Sequence, residues 1–354
     1  MQVSGSLASA LPDSGTAFAE LDLALTDALQ ADPRAPWTRV GAALGVDATT
    51  AARHWARLVE RGLAWITAYP APGLAAVAYV EVRCKAGAVD RLIEQLSELS
   101  WVFSIEHVVG DFDLFLSVCA ADLPALGRQL NQLGVLKGVR SSRTLLSLRH
   151  YREGSRWQVR ALPARHRSAL LDAQPALPRV ADEKGAGRGY DRTGLALVLA
   201  LSADGRTGFP ELAARAGLSE STARRRLDRL VRDHGLLLRC DLAQPLAGWP
   251  VVVTYRSVVP HQDLERLGPA PAQLPQTRLC ASVTGSCNLL LSVWLRGTRE
   301  VGAFDALLAE RMPELRVRSR TVTLRSAKRM GRILDGRGRA AGNILANLPP
   351  ASRD

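Results

Sequence analysis

Apolar and polar positions recur in one order at two places along the chain. In the later place, Leu195, Leu197, Val198 and Leu201 fall at helical spacing, Phe209, Leu212 and Ala213 mark a second short helix, and Leu227, Leu230 and Val231 mark a third. Gly208 suits an N-cap, with Pro210 in the first turn, where a missing N–H costs little. Gly217 allows a tight turn, and Ser219 is a good N-cap for the third helix. The polar positions Ser221, Thr222, Arg224, Arg225, Arg226 and Arg229 are left for its other faces. Helix, short helix, glycine turn and an arginine-bearing helix form the helix-turn-helix pattern. Small hydroxyl residues at the start of such a helix can enter a DNA major groove, and arginines beyond them reach guanine edges or phosphates. The predicted contacts are therefore Ser219, Ser221, Thr222, Arg224, Arg225, Arg226 and Arg229.

The earlier place carries the same pattern with fewer basic residues. Asp47 is its N-cap, Trp37 stands in the place of Phe209, and the third helix offers Thr49, Thr50, Arg53, His54 and Arg57. Gly45 aligns with Gly217 and Arg53 with Arg225 at a constant offset of 172. Further on the offset becomes 175: Gly73 falls on Gly248, Gly110 on Gly285 and Leu114 on Leu289. Two matched blocks in one order mean an internal duplication.

After each head the period switches between two and 3.6. In the first half, strands are predicted at 75–84, 101–109, 113–119 and 139–149, with helices at 88–99 and 122–133. In the second half, strands fall at 251–259, 278–285, 288–295 and 317–325, with a degraded helix near 261–267 and a full one at 301–312. The order βαββαβ is the ferredoxin-like unit. The predicted fold class is α+β: two repeats of a (winged) helix-turn-helix plus a ferredoxin-like βαββαβ domain. The expected boundaries are 18–66 and 74–165 for the first repeat, a Pro- and Gly-rich linker at 173–190, 191–240 and 248–330 for the second, and a basic tail at 331–354.

Composition narrows the class. The net charge of +12 favours a polyanionic partner, although only four of the 46 basic residues are lysine, which reflects a compositional bias as well. No apolar run reaches the roughly 20 residues of a membrane span, and no secretion signal opens the chain. The five cysteines have no zinc spacing and read as reduced thiols of a cytoplasmic protein. Neither a metal, a cofactor nor a set of catalytic residues is expected.

With GLSESTARRRLDRLV at 217–231 and Gly110-Asp111-Phe112-Asp113 between the second and third strands, the chain resembles the leucine-responsive regulatory protein (Lrp/AsnC) family of prokaryotic transcription regulators, twice over. The resemblance implies double-stranded DNA as partner, self-association through the effector domains, and a small-molecule effector, often an amino acid, near the Gly-x-x-Asp hairpin. Gly110, Asp111 and Asp113 would form that site, with Asp113 pairing an ammonium; a plain turn role for Asp113 stands beside this reading. The second copy has Gly285 but Asn288 in place of the acid, which keeps an acceptor and loses the charge. A first half expressed alone is expected to self-associate. Siroheme decarboxylases share the fold and supply an alternative of another class, a tetrapyrrole enzyme, with His107 as the residue to watch.

Overall fold

In the computed structural model, residues 17–70, 75–171, 190–233 and 235–344 are described. The first head comprises α1 (Glu20–Ala31), α2 (Trp37–Leu44) and α3 (Ala48–Glu60), followed by β1 (Ala64–Pro70). Its α2 ends on Gly45 at φ +70°, a left-handed residue that closes the turn without Cβ strain, and the Asp47 carboxylate accepts the Thr50 N–H to start α3. The first effector unit follows: β2 (Ala76–Cys84), α4 (Val89–Glu98), β3 (Val102–Val109), β4 (Leu114–Ala120), α5 (Leu123–Gly134) and β5 (Val139–Arg152). Then comes α6 (Ala164–Leu171).

The second repeat opens with α7 (Arg192–Ala203), α8 (Phe209–Ala216), α9 (Glu220–Arg232) and β6 (Leu236–Leu242). Its effector unit contains β7 (Val251–Val258), two single-turn helices α10 (Leu264–Leu267) and α11 (Pro269–Ala272), β8 (Thr277–Val283), β9 (Leu289–Leu295), α12 (Arg299–Arg311) and β10 (Arg316–Arg329). Short strands β11 (Arg332–Leu334) and β12 (Ala340–Asn343) complete the described chain. The expected α+β class and both βαββαβ orders are thus present.

The two effector units share one sheet. The strand order is β12-β11-β10-β3-β4-β2-β5-β8-β9-β7, and β10 also pairs with β7, so eight strands close into a barrel. The long strands β5 and β10 each serve both units. β5 pairs with β2 through Val139–Leu146 and with β8 through Ser147–Arg152. β10 pairs with β7 near its start and with β3 near its end. Closure pairs the eight strands on both sides where they overlap, and the end of β10 beyond β7 takes β11. The outer faces carry α4 and α5 over a core around Val80, Leu92, Leu96, Ile105 and Leu116, and α12 over a core around Val253, Tyr255, Leu291, Phe304 and Leu308.

The heads are joined by a ribbon that sequence periodicity did not disclose. β1 pairs antiparallel with β6 from Ala64↔Leu242 to Pro70↔Leu236, about a centre at Thr67↔Arg239. Position 64 aligns with 236 at the repeat offset, so the ribbon is self-complementary and lies on a pseudo-twofold axis.

Two boundaries change. Trp157, Leu162 and Leu170, expected in or after the first effector unit, pack into the core of the first head. Arg167 pairs with Asp27, and Arg39 donates to the carbonyls of Ala169 and Leu170, so α6 is a fourth helix of that head. The expected tail begins with β11 and β12, and the Ala340 N–H donates to the Gly62 carbonyl at 2.8 Å. The linker expected at 173–190 lies outside the described residues but for Tyr190, as does Gly73.

Candidate nucleic-acid interface and effector hairpins

On α9, Ser219 is the N-cap and accepts from the Thr222 N–H at 3.3 Å, while Ser221 is exposed beside it. Ala223 and Leu227 are buried, which turns Arg225 and Arg229 to solvent. Neither side chain has a hydrogen-bond or ion-pair partner among the described residues. Arg224 lies over the Phe209 ring at 4.0 Å, and Arg226 pairs with Asp191 of the α7 N-cap at 2.7 Å. Of the four predicted arginines, two are therefore free and two help fix the helix.

The α3 surface is poorer. Thr49 and Arg53 are exposed, and Thr50 is spent on Asp47 through both its N–H and its hydroxyl, each at 2.7 Å. His54 and Arg57 turn back to Asp22 of α1, at 3.1 and 2.9 Å. Both were predicted as DNA contacts; in the structure Asp22 draws both side chains toward the head.

A reciprocal clamp fixes the heads against each other. Arg34 donates to the carbonyls of Gly205 and Thr207 at 2.7 and 3.0 Å, and Arg206 donates to those of Pro33 and Ala35 at 2.8 and 2.9 Å. Arg34 also faces the Phe209 ring at 5.1 Å, and Arg206 lies 3.9 Å over Trp37. Every partner maps onto its counterpart at offset 172, so one contact is made twice across the axis. Burial pulls the Arg206 guanidinium down to about 10, yet it stays charged at neutral pH.

At the hairpins, Asp113 and Asn288 are engaged with the backbone of their own units. Gly110 has φ +148°, and a Cβ there would stand 2.7 Å from the Thr321 methyl of β10; Gly285 has φ +108° and would meet Leu145 of β5 at 3.0 Å. Each hairpin thus tucks under the other unit's long strand. Asp113 Oδ2 accepts the Cys84 N–H at 2.6 Å. Asn288, at the equivalent position, accepts the Val259 N–H at 2.9 Å and donates to the Val259 carbonyl at 2.6 Å. Both side chains therefore hold the end of the unit's first strand, and Asn288 is buried while doing so. Asp111 is exposed, and its carbonyl accepts from Arg83 at 2.8 Å.

Sequence reading missed the charged groups inside the barrel and under the ribbon. Arg256 forms a fully buried ion pair with Glu81 and faces the Phe112 ring at 4.4 Å. Asp241 is buried between Arg239 and Arg278, which hold its carboxyl below the usual range despite burial. His150 bonds to the Tyr79 hydroxyl at 3.0 Å, and burial depresses it to about 4, so it is neutral at pH 7. The available signal was charge inside apolar runs: LLLRCDL at 236–242 and TRLCASV at 277–283. The five cysteines are free thiols, and no helix of the described residues is long and apolar enough to cross a membrane.

Residues 20–59 and 191–231 both match the AsnC-type helix-turn-helix domain, and residues 77–157 match the Lrp/AsnC ligand binding domain. Among relatives, an uncharacterized HTH-type transcriptional regulator of Pyrococcus abyssi is 28% identical over 131 residues, covering 35% of this chain and 82% of its own. The HTH-type transcriptional regulator Ptr1 of Methanocaldococcus jannaschii is 25% identical over 146 residues, 39% of this chain and 97% of its own. The siroheme decarboxylase NirDL, solved with an iron-uroporphyrin III analogue, superposes with a TM-score of 0.54 over 88% of this chain and 93% of its own at 14% identity, which shows a common two-unit fold.

Proposed function

Because the chain is a tandem member of the Lrp/AsnC family of transcription regulators, we propose that its two heads grip one DNA duplex together and that α9 is the main base reader. The carrying observation is that α9 presents Arg225 and Arg229 unpartnered, whereas α3 commits Arg57 and His54 to Asp22. The ribbon and the arginine clamp set the spacing of the heads within one chain. Two unlike heads prefer an operator with unlike half-sites, since operator symmetry mirrors protein symmetry.

The test is titration of one genomic site at fixed salt. Arg225→Ala should cost about 1–3 kcal/mol of specific binding, and Arg53→Ala clearly less. A larger loss from Arg53→Ala, or no loss from either, overturns the ranking of the heads.

The amino-acid effector belongs to the same reading, at the Gly110–Asp113 hairpin, where one oxygen of the Asp113 side chain is held by Cys84 N–H and the second copy has an amide, Asn288, instead. Asp113→Asn should abolish amino-acid binding in calorimetry while leaving thermal stability nearly unchanged, because the amide oxygen can still accept from Cys84. Asn288→Ala should instead destabilise the protein by about 1–3 kcal/mol, since it strands the buried Val259 N–H and carbonyl. Binding of no amino acid by the parent protein ends the effector reading.

On this reading the protein works in the cytoplasm and is not an enzyme. The likeness to NirDL is one of fold. His107, singled out for the tetrapyrrole alternative, is not among the residues around the barrel cavity.

A further inference from the structure

The bore of the barrel is packed at one end only. Tyr79, Phe112, Phe115, Cys287 and Leu290 fill the part near the hairpins. Beyond them lies a cavity of about 190 Å³, roofed by the β1/β6 ribbon from Thr67 to Pro70 and by the Met330–Gly331 turn. Its wall carries Arg278, Arg239, Arg329, Trp294, Phe103 and Glu106.

Arg278 is buried, 5% exposed, and it is short of acceptors. One of its nitrogens meets Asp241, but Arg239 Nε claims the same carboxylate at 2.7 Å. Its Nε and Nη1 have no hydrogen-bond partner among the described residues. A buried guanidinium with open N–H groups is costly unless an acceptor reaches it. The acids lining the cavity do not meet that need. Glu153 accepts from Tyr69 and Ser155, and burial pushes Glu106 upward, toward its neutral form. Trp294 lies 4.2 Å from the Arg278 guanidinium and supplies a flat apolar wall.

These features occur once. At the repeat offsets, Phe103 stands where Arg278 would be, Cys119 where Trp294 would be, and Thr67 where Arg239 would be. Divergence of the second unit made a cationic, aromatic-walled cavity that a dimer of identical units would have to carry twice or not at all.

We propose that this cavity binds a small monocarboxylic acid with a single-ring or short branched apolar body, its carboxylate on Arg278 and its body against Trp294 and Phe103. At about 190 Å³ the cavity is smaller than the roughly 300–1,000 Å³ pockets that take drug-sized ligands, which favours a small occupant. The site is separate from the hairpins, which lie at the filled end of the bore. Its roof is the ribbon that joins the heads, so an occupant touches the element that sets their spacing; this regulatory consequence rests on the DNA-binding reading, whereas binding itself does not.

The test is a titration of the full chain with phenylacetate, without DNA, followed by the fluorescence of the tryptophans beside Arg278. The expected result is a saturable change, with phenylacetamide, the neutral isostere, at least about tenfold weaker. Arg278→Met should weaken phenylacetate by a similar factor. Val77→Phe adds bulk to the cavity from β2 while leaving Arg278 in place, and should weaken binding while the melting curve stays cooperative. No saturable change with phenylacetate or benzoate overturns the proposal, as does equal affinity for acid and amide, or undiminished binding by a folded Val77→Phe protein. Because DNA is absent, failure here is distinct from failure of the DNA-binding reading. If phenylacetate binds and leaves affinity for the genomic site unchanged, the regulatory consequence is overturned and the ligand site is upheld.

Discussion

Residues 17–171 and 190–344, expressed as separate chains and mixed, should assemble with each other in preference to themselves. Glu81 and Arg256 occupy the same position of the two units at offset 175, and they meet as a buried pair inside the barrel. A barrel made from two first units would place Glu81 against Glu81, and one made from two second units Arg256 against Arg256. Burying like charges together costs several kcal/mol, whereas in the unlike pair Arg256 Nε meets Glu81 and its Nη1 donates to the Thr254 carbonyl and the Thr321 hydroxyl, each at 3.2 Å. Sequence alone predicts a self-associating first half; the open edges of β3 and β5 do demand a partner, and the charge inside the barrel favours the second unit over a second copy of the first. In the intact chain, Glu81→Arg should lower stability by about 3–5 kcal/mol, and adding Arg256→Glu should restore much of it. Urea denaturation measures both, and light scattering of the separated halves measures the preference. A first half that forms a stable dimer by itself as readily as the mixed pair contradicts the argument.

Arg206→Ala should loosen the heads. The variant loses two hydrogen bonds from a charged donor, to Pro33 and Ala35, and the stacking over Trp37. Charged hydrogen bonds contribute about 1.5–3 kcal/mol each, and the stranded carbonyls are partly buried, so a loss on the order of 3 kcal/mol is expected. Arg206→Lys should recover little, because an ammonium cannot lie flat on the indole and fork to two carbonyls. Affinity for DNA should fall as well, since part of the binding energy must now fix the head spacing. A change below about 1 kcal/mol with unaltered DNA affinity would mean that the ribbon alone holds the pair.

What could be read from sequence was what repeats locally. The offset of 172 located both heads, and Gly45, Gly217, Asp47 and Ser219 marked their helix ends because caps and left-handed turns depend on neighbours a few residues away. What could not be read depends on distant partners. AWITAYP at 64–70 forms a strand only because LLLRCDL at 236–242 lies beside it. ARHRSALL at 164–171 has little amphipathic character and is held by Asp27 and Arg39 of the first head. The Gly-rich segment after Lys328 reads as a tail until β10 offers it an edge. The site residues divide likewise. The free arginines of α9 follow from helical spacing, but nothing local shows that Asp22 would capture Arg57, or that Asn288 would clamp Val259 as Asp113 clamps Cys84.

The closed barrel also has a genetic consequence. Homodimeric regulators exchange subunits, so one defective allele can poison the product of a sound one by forming mixed dimers. Here each chain completes its own barrel and its own pair of heads, and the Glu81–Arg256 pair is satisfied in cis. A lesion in either head should therefore be recessive at the level of this pairing. Joining of the heads should not weaken on dilution either, because the two units are never separate solutes.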